Sequence, residues 1–123
     1  MKRLFITTNV FWKLWNSIGF DDDDIKELED FLIEKPNSGN VISGTNGLRK
    51  LRWQRQGFGK RGGIRILYVD FPKYEQLHFI SLLLKSERDN ISDNDKKIIS
   101  KLIKEIENDL EEKYNEKNKS KKK

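Results

Sequence analysis

Residues 48–65 read LRKLRWQRQGFGKRGGIR and predict the centre of the fold, a β-hairpin. Leu48, Leu51 and Trp53 give its first arm apolar positions, and residues 64–71 supply a β-branched and aromatic second arm, IRILYVDF. Between the arms, QRQGFGKRGG contains four glycines, as expected of a turn. The rest of the chain is therefore expected to be arranged around two antiparallel strands.

The two arms of this hairpin carry cations whose spacing assigns them to faces. Successive side chains of a strand point to opposite sides. Alternation therefore places Lys50 and Arg52 on one face of the first arm and Arg49 on the other. On the second arm Arg65 shares its face with Leu67. The hairpin can bring Lys50, Arg52 and Arg65 into one groove, provided that the register aligns them, and the sequence alone leaves that register open.

Positive charge is concentrated around the hairpin rather than spread along the chain. Residues 35–69 contain eight Lys and Arg and no Asp or Glu, a net charge of +8, whereas the whole chain carries +5. A surface of one sign is typical of a protein that binds a polyanion. On composition alone, the favoured interpretation is a surface that binds nucleic acid without cutting it, because basic clusters outnumber active sites.

Size and composition limit the class of protein. The chain has 123 residues, 35% hydrophobic and 37% charged, which fits one polar domain. It has no cysteine and a single histidine, His78, so disulfides, thiolate sites and His-rich metal centres are excluded and no cofactor is expected. No apolar run approaches the roughly 20 residues of a membrane span, and Met1 is not followed by a signal-peptide core. We therefore expect a cytoplasmic protein without a membrane partner.

Apolar spacing predicts the remaining elements: a strand over 2–8, a helix over 10–18, a second helix between Asp21 and Pro36, a strand over 76–85 and a last helix opening at Ser92. The order predicts an α+β fold with a small curved, antiparallel-rich sheet, packed with two N-terminal helices and a C-terminal helix. Residues 115–123 have no apolar period, so we expect a folded domain over 1–114 and a disordered basic tail.

Several side chains have a predicted structural role. One of the four acids from Asp21 to Asp24 is expected to cap the second helix rather than to bind a metal. His78 is expected to be structural rather than catalytic. The predicted core contains Trp15, Phe31, Leu51, Leu67, Phe79, Leu83 and Ile103. The buried stripe of the last helix is predicted to be Ile98, Ile99, Leu102, Ile103, Ile106 and Leu110.

Three segments together resemble a known family. They are GTNGLRKLRW (44–53), GKRGGIRILYVDF (59–71) and LLLKSERDNIS (82–92). In combination they are similar to the RelE/ParE superfamily of bacterial toxins, and most of all to its HigB subgroup of ribosome-dependent messenger-RNA endonucleases. The resemblance covers nearly the whole order of elements and is expected to end near residue 114.

The resemblance implies a microbial-RNase-like fold and a metal-independent endoribonuclease, an mRNA interferase that enters the ribosomal A site and inhibits translation. It also implies three kinds of partner. The ribosome and its messenger RNA are the first two. The third is a cognate antitoxin with a helix-turn-helix domain, through which alone the complex binds operator DNA.

The resemblance also implies which residues act. The family's paired basic residues on the second strand match Lys50 and Arg52, its third-strand arginine matches Arg65, and the basic residue ending the fourth strand matches Lys85; these four are the expected catalytic residues. RelE carries a tyrosine just after that last position, and the run SERDN that follows Lys85 has none. Four further cations are expected to bind messenger or ribosomal RNA: Arg49, Arg55, Lys60 and Arg61.

A nuclease of this composition has to cut RNA through the 2′-hydroxyl of the substrate itself. Preorganised cations stabilise the charge that builds up on the phosphorane, and the planar fork of arginine suits phosphate oxygens. We assign the phosphorane to Arg65 and the leaving 5′-oxygen or the phosphate to Lys85. Lys50 is the candidate general base, because neighbouring cations disfavour its protonated form.

Three alternatives stay open on the sequence alone. A ParE-like toxin would share the fold, poison gyrase and cut no RNA, although cations at all four expected catalytic positions argue against it. A non-catalytic basic module would only bind nucleic acid. A third possibility is a structural partner without toxicity.

Overall fold

The structure, a computed structural model, describes residues 2–54, 63–84 and 91–121. Along these ranges the chain forms β1 (Leu4–Thr7), α1 (Asn9–Ser17), α2 (Asp22–Glu34), β2 (Asn40–Val41), β3 (Arg49–Gln54), β4 (Gly63–Phe71), a 3-10 turn (Pro72–Tyr74), β5 (Gln76–Leu84) and α3 (Asp93–Lys121). The predicted α+β class and the predicted hairpin of β3 and β4 are both confirmed.

The five strands form one mixed sheet in the order β1-β5-β4-β3-β2. β1 runs parallel to β5, whereas the other three pairings are antiparallel. α1 and α2 pack on one face through residues such as Trp15 and Leu28, which join Ile66 and Phe79 of the sheet. α3 packs on the opposite face. β4 and β5 are therefore covered on both faces of the sheet, which explains their nearly continuous apolar sequences.

Local hydrogen bonds explain where α1 and α2 begin, and a glycine explains where α1 ends. The Thr8 hydroxyl accepts a hydrogen bond from the Phe11 N–H at 3.0 Å and caps α1. α1 ends before Gly19, whose φ of 85° lies in the left-handed region. Asp21 caps α2 through a reciprocal capping box with Asp24, with N–O distances of 3.0 and 2.8 Å. The acidic run is therefore a helix cap, as predicted.

Six of the seven predicted core residues are buried, with Phe31 as the exception. Phe79 of β5 is fully buried and stacks between Phe5 and Phe11, with ring centroids 5.7 and 5.0 Å away. Phe31 is half-buried and covers Trp53 at a centroid distance of 5.4 Å. Its partner Trp53 is itself only partly buried in β3, so the Phe31 ring packs at the margin of the core.

Three predictions differ from the structure. Ile98 is 59% exposed, because the stripe that packs on the sheet runs through Ile99, Leu102, Ile103 and Ile106 instead. β2 lies in a segment for which the sequence predicts no element; its strand character comes from backbone pairing with β3, which its polar sequence does not signal. α3 continues to Lys121, beyond the expected boundary at residue 114, because an anchored helix extends without a new nucleation step.

A buried ion pair fastens the start of the chain to the sheet. The Arg3 guanidinium donates to both carboxylate oxygens of Asp70, with Nε–Oδ1 at 2.7 Å and the second contact at 3.1 Å. The hydrogen bond to Asp70 raises the pKa of Arg3 above its usual value. Because β5 lies between β1 and β4, this pair bridges three strands.

Helices long and apolar enough to cross a bilayer are absent from residues 2–54, 63–84 and 91–121.

Candidate functional site

The cations of the hairpin meet on the α3 side of the sheet. In the register of β3 and β4, Arg52 lies directly opposite Arg65 and Lys50 lies opposite Leu67. Paired residues of an antiparallel ladder point to the same face, so Lys50, Arg52 and Arg65 share one. Leu67 belongs to the apolar cluster beneath α3, which identifies the face. The structure thus brings together the three strand cations that alternation had assigned to one groove.

The three cations differ in solvent exposure, which increases from β4 to the outer part of β3. Arg65 is only 7% exposed, Lys50 is half-buried and Arg52 is exposed. β4 lies in the middle of the sheet, so side chains of both neighbouring strands flank Arg65. These neighbours are Arg52 of β3 and Leu83 of β5. Arg65 also makes a non-covalent interaction within the protein, and burial leaves its guanidinium fewer positions than an exposed one has. A buried cation of this kind resembles the preorganised donors of an active site.

Two arginines directly opposite one another make a poor structural pair. Like charges at facing positions of an antiparallel ladder destabilise the sheet. Arg52 and Arg65 therefore gain most when an anion lies between or above them, and two guanidinium groups can each hold phosphate oxygens in a bidentate manner. The arrangement is chemically suited to a phosphodiester.

Arg49 has a different environment from the other cations of β3. Its guanidinium donates to the carbonyl oxygens of Gly39 at 2.7 Å and Asn37 at 3.3 Å. Those contacts hold the segment after α2 against the sheet face that packs on α1 and α2. The structure therefore does not bring Arg49 into the cluster with Lys50 and Arg52.

The same segment is fixed by Tyr68, which lies opposite Arg49 in the register. The Tyr68 hydroxyl donates to the Pro36 carbonyl at 2.8 Å and accepts from the Gly39 N–H at 3.0 Å. A Cβ at Gly39 would meet the Tyr68 ring at 2.9 Å, so only glycine fits there. This contact network carries β2 to the edge of β3 and supports the strand that presents Lys50.

The loop before β3 ties the cation cluster to α3. Asn46, with φ of 60°, donates through Nδ2 to the Ser100 carbonyl at 3.0 Å and to its hydroxyl at 2.9 Å. Thr45 is fully buried and bonds the Ile42 carbonyl, while its own oxygen accepts from the Leu48 N–H at 3.1 Å. Sequence reasoning missed these positioning residues, although the GTNG run signals a backbone with left-handed turns.

Four predicted functional residues lie outside the described residues: Lys85, Arg55, Lys60 and Arg61. Lys85 directly follows Leu84, the last residue of β5, and the other three belong to the segment between β3 and β4. Their expected roles in catalysis and RNA binding stay predictions.

The described residues contain no group of three or more His, Cys, Asp or Glu that could hold a metal ion. The single histidine is used within the sheet. His78 is buried against the edge of the Phe71 ring, and its Nε2 lies 2.9 Å from Gln76 Oε1. It pairs with Val69, four residues along β4 from Arg65, so it contributes nothing to the cluster.

Burial gives His78 a testable effect on stability. It lowers the pKa of His78 below the usual 6.5, whereas the unfolded chain recovers the ordinary value. At pH below about 6.5 the unfolded state therefore binds a proton that the folded state does not, and stability falls as the solution becomes acidic. We expect His78→Gln to flatten the loss in free energy of unfolding between about pH 7.5 and 5.5, measured by urea denaturation. An unchanged loss would show that other groups cause the acid sensitivity.

Fold and cation cluster together define a small α+β protein with Lys50, Arg52 and Arg65 on one face of its sheet. The family model for the RelE toxin of the RelE/RelB toxin–antitoxin system matches residues 23–122, four-fifths of the chain and beyond the expected limit at residue 114. The chain belongs to this RelE toxin family, within the RelE/ParE superfamily, and is the toxin of a type II toxin–antitoxin pair.

Two solved structures are similar to this chain. A double arginine-to-alanine variant of the E. coli toxin RelE in the free state is similar at 16% identity, over 71% of this chain and 88% of that one, with a TM-score of 0.51. The intact E. coli RelBE toxin–antitoxin complex aligns at 17% identity over 70% of this chain and 99% of that one, with a TM-score of 0.49. At such identities the likeness of the free toxin shows the fold alone.

Proposed function

We propose that this toxin is a metal-independent endoribonuclease of the HigB subgroup that cleaves messenger RNA in the ribosomal A site and thereby inhibits translation. The observation that carries the proposal is the buried Arg65 directly opposite Arg52, with Lys50 on the same face. Burying a guanidinium is costly, and loose binding of a polyanion needs only exposed cations. Stabilisation of a transition state, by contrast, depends on preorganised donors, which a buried arginine can supply.

The proposed reaction is an intramolecular transesterification. The 2′-oxygen of one nucleotide forms a bond to the adjacent phosphorus, and the bond from that phosphorus to the 5′-oxygen breaks. Lys50, in its neutral form, accepts the proton of the 2′-hydroxyl, and a proton is delivered to the departing 5′-oxygen, which we assign to Lys85. Arg65 and Arg52 hold the non-bridging oxygens, on which negative charge grows. The products are a 2′,3′-cyclic phosphate and a free 5′-hydroxyl.

A ParE-like gyrase poison is the main rival within the superfamily. It needs no paired cations on the second strand and no buried arginine on the third, because it performs no chemistry on a phosphodiester. Lys50, Arg52 and Arg65 converge on one face in this chain. Their convergence favours the nuclease over the gyrase poison and over a module that only binds nucleic acid.

The partner proposed for inhibition is an antitoxin with a helix-turn-helix domain, encoded beside the toxin gene and acting with it in the cytoplasm. A site made of cations is readily covered by an acidic segment of such a partner, or kept from the ribosome by its bulk. Operator DNA is bound through the antitoxin alone.

Overexpression separates the candidate functions. We expect induction of the toxin to stop protein synthesis while chromosomal DNA stays intact, because the proposed target is the message. Co-expression of the neighbouring antitoxin should restore growth. Incorporation of labelled methionine and chromosome integrity on pulsed-field gels measure the two effects separately.

Double-strand DNA breaks with translation initially intact would identify a gyrase poison instead. A protein that binds nucleic acid without cutting it would leave message lengths unchanged. If the neighbouring reading frame neither binds this protein nor relieves growth arrest, the proposed antitoxin is wrong.

A further inference from the structure

The charge of α3 is divided sharply between its two parts. Residues 93–112 contain four lysines and seven acids, a net charge of −3. Residues 113–123 contain six lysines and one acid, a net charge of +5. The backbone is helical through Lys121, so residues 113–121 continue the helix that covers the sheet.

Core packing does not explain the basic end of α3. The last residue of α3 in the apolar cluster beneath it is Leu110. One turn later Tyr114 meets Tyr74 of the 3-10 turn edge to face, with ring centroids 5.6 Å apart. Lys73 Nζ lies 5.6 Å from the Tyr74 ring and 5.3 Å from the Tyr114 ring. Lys113 and Lys117 are exposed beside this pair.

We call the surface formed by Lys73, Tyr74, Lys113, Tyr114 and Lys117 the lysine tip. Cations near a helix C-terminus also stabilise the helix dipole, but that effect is confined to the last turn. Lys113 lies two turns before Lys121, and Lys73 belongs to a different element. The dipole therefore does not account for these two lysines.

The lysine tip lies at the opposite end of the sheet from the candidate active site. β4 runs from Arg65 toward Phe71, and the 3-10 turn follows directly. Six residues of strand separate the two ends, a distance of about 20 Å. A phosphate bound by Arg65 and a phosphate bound at the tip must therefore be well separated along or between RNA strands.

We propose that the lysine tip is a second RNA-binding surface, which contacts the phosphate backbone of ribosomal RNA while the message occupies the candidate active site. The inference rests on the proposed function. Exposed lysines supply a salt-dependent, sequence-independent attraction. Tyr114 is 40% exposed, and an accessible aromatic ring beside cations is a platform on which an unpaired base can stack.

Two triple variants of equal charge change test the proposal. The tip variant carries Lys73→Gln, Lys113→Gln and Lys117→Gln. The control variant carries Lys97→Gln, Lys101→Gln and Lys104→Gln, which are exposed on the acidic part of α3. Affinity for purified ribosomes without message is measured over a range of salt concentrations, with circular dichroism and thermal melting as checks on the fold.

The tip variant should bind ribosomes on the order of tenfold more weakly at about 0.1 M salt and lower the slope of log affinity against log salt by about two. Its cleavage rate at saturating ribosome should equal that of the wild type, because the tip is remote from the cluster. The control variant should retain affinity and slope. A triple Lys→Arg variant at the tip should retain both as well.

Equal losses of ribosome affinity in the tip and control variants would show that only the net charge matters, and would overturn the inference. So would loss of helix content in the tip variant that accounts for its weaker binding, or an effect on duplex operator DNA alone. Wild-type protein that fails to bind ribosomes at all would instead contradict the proposed function. The two failures are therefore distinguishable.

Discussion

Arg65→Ala is expected to lower the rate of message cleavage by about 10²–10³-fold while ribosome affinity falls only modestly. Arg65 is one cation among many for binding, but it is buried, and the proposed mechanism assigns it to the developing phosphorane charge. Losing one phosphate contact should reduce the salt slope of binding by about one. Single-turnover cleavage on programmed ribosomes and equilibrium binding to the same ribosomes measure the two quantities.

Two controls distinguish chemistry from folding in this experiment. Arg65→Lys keeps the charge and loses the planar fork, so it should recover binding fully and cleavage only in part. Lys13→Ala removes an exposed cation of α1 and should leave both unchanged. Similar small losses of cleavage and binding in Arg65→Ala would indicate a basic binding surface without an active site.

Phe79→Ala is expected to lower the free energy of unfolding by about 3–5 kcal/mol. Phe79 is fully buried in β5 and stacks between Phe5 of β1 and Phe11 of α1, so truncation leaves a cavity that three elements line. Urea denaturation followed by tryptophan fluorescence measures the loss. Because the total stability of a domain is about 5–15 kcal/mol, this loss is a large share of it.

Leu4→Ala is the matched control for Phe79→Ala. Leu4 belongs to β1, next to Phe5, but its side chain is 59% exposed, so truncation should change stability by less than about 1 kcal/mol. A small effect of Phe79→Ala would contradict the assignment of β5 as a central strand buried on both faces.

Alternation predicted the faces of the hairpin because each of its strands has a buried side that fixes the register. A slip of one residue would turn Leu51 and Ile66 to the wrong face of the sheet, so the apolar pattern itself enforces the pairing of Arg52 with Arg65. The convergence of Lys50, Arg52 and Arg65 was therefore predictable in outline. Only the observed register shows that two of them face each other directly.

Features that depend on contacts between distant segments were not predictable. The Arg3–Asp70 pair joins residues 67 positions apart, and nothing local marks either as a partner. Alternation places Arg49 on the opposite face from Lys50, but its hydrogen bond to the Gly39 carbonyl depends on a segment ten residues earlier in the chain. β2 has two residues and becomes a strand only because β3 offers an edge. α3 continues past its last buried apolar residue, so the apolar spacing could not predict where the helix ends.

The most direct test of the central claim is to map the 5′ ends of a defined message after incubation with the toxin and ribosomes stalled at a known codon. The proposed function predicts a new 5′-hydroxyl end within the A-site codon, a 2′,3′-cyclic phosphate on the upstream fragment, and formation of both about 10²–10³-fold more slowly with Arg65→Ala. An intact message on ribosomes that demonstrably bind the toxin would contradict it, as would cleavage unaffected by loss of Arg65.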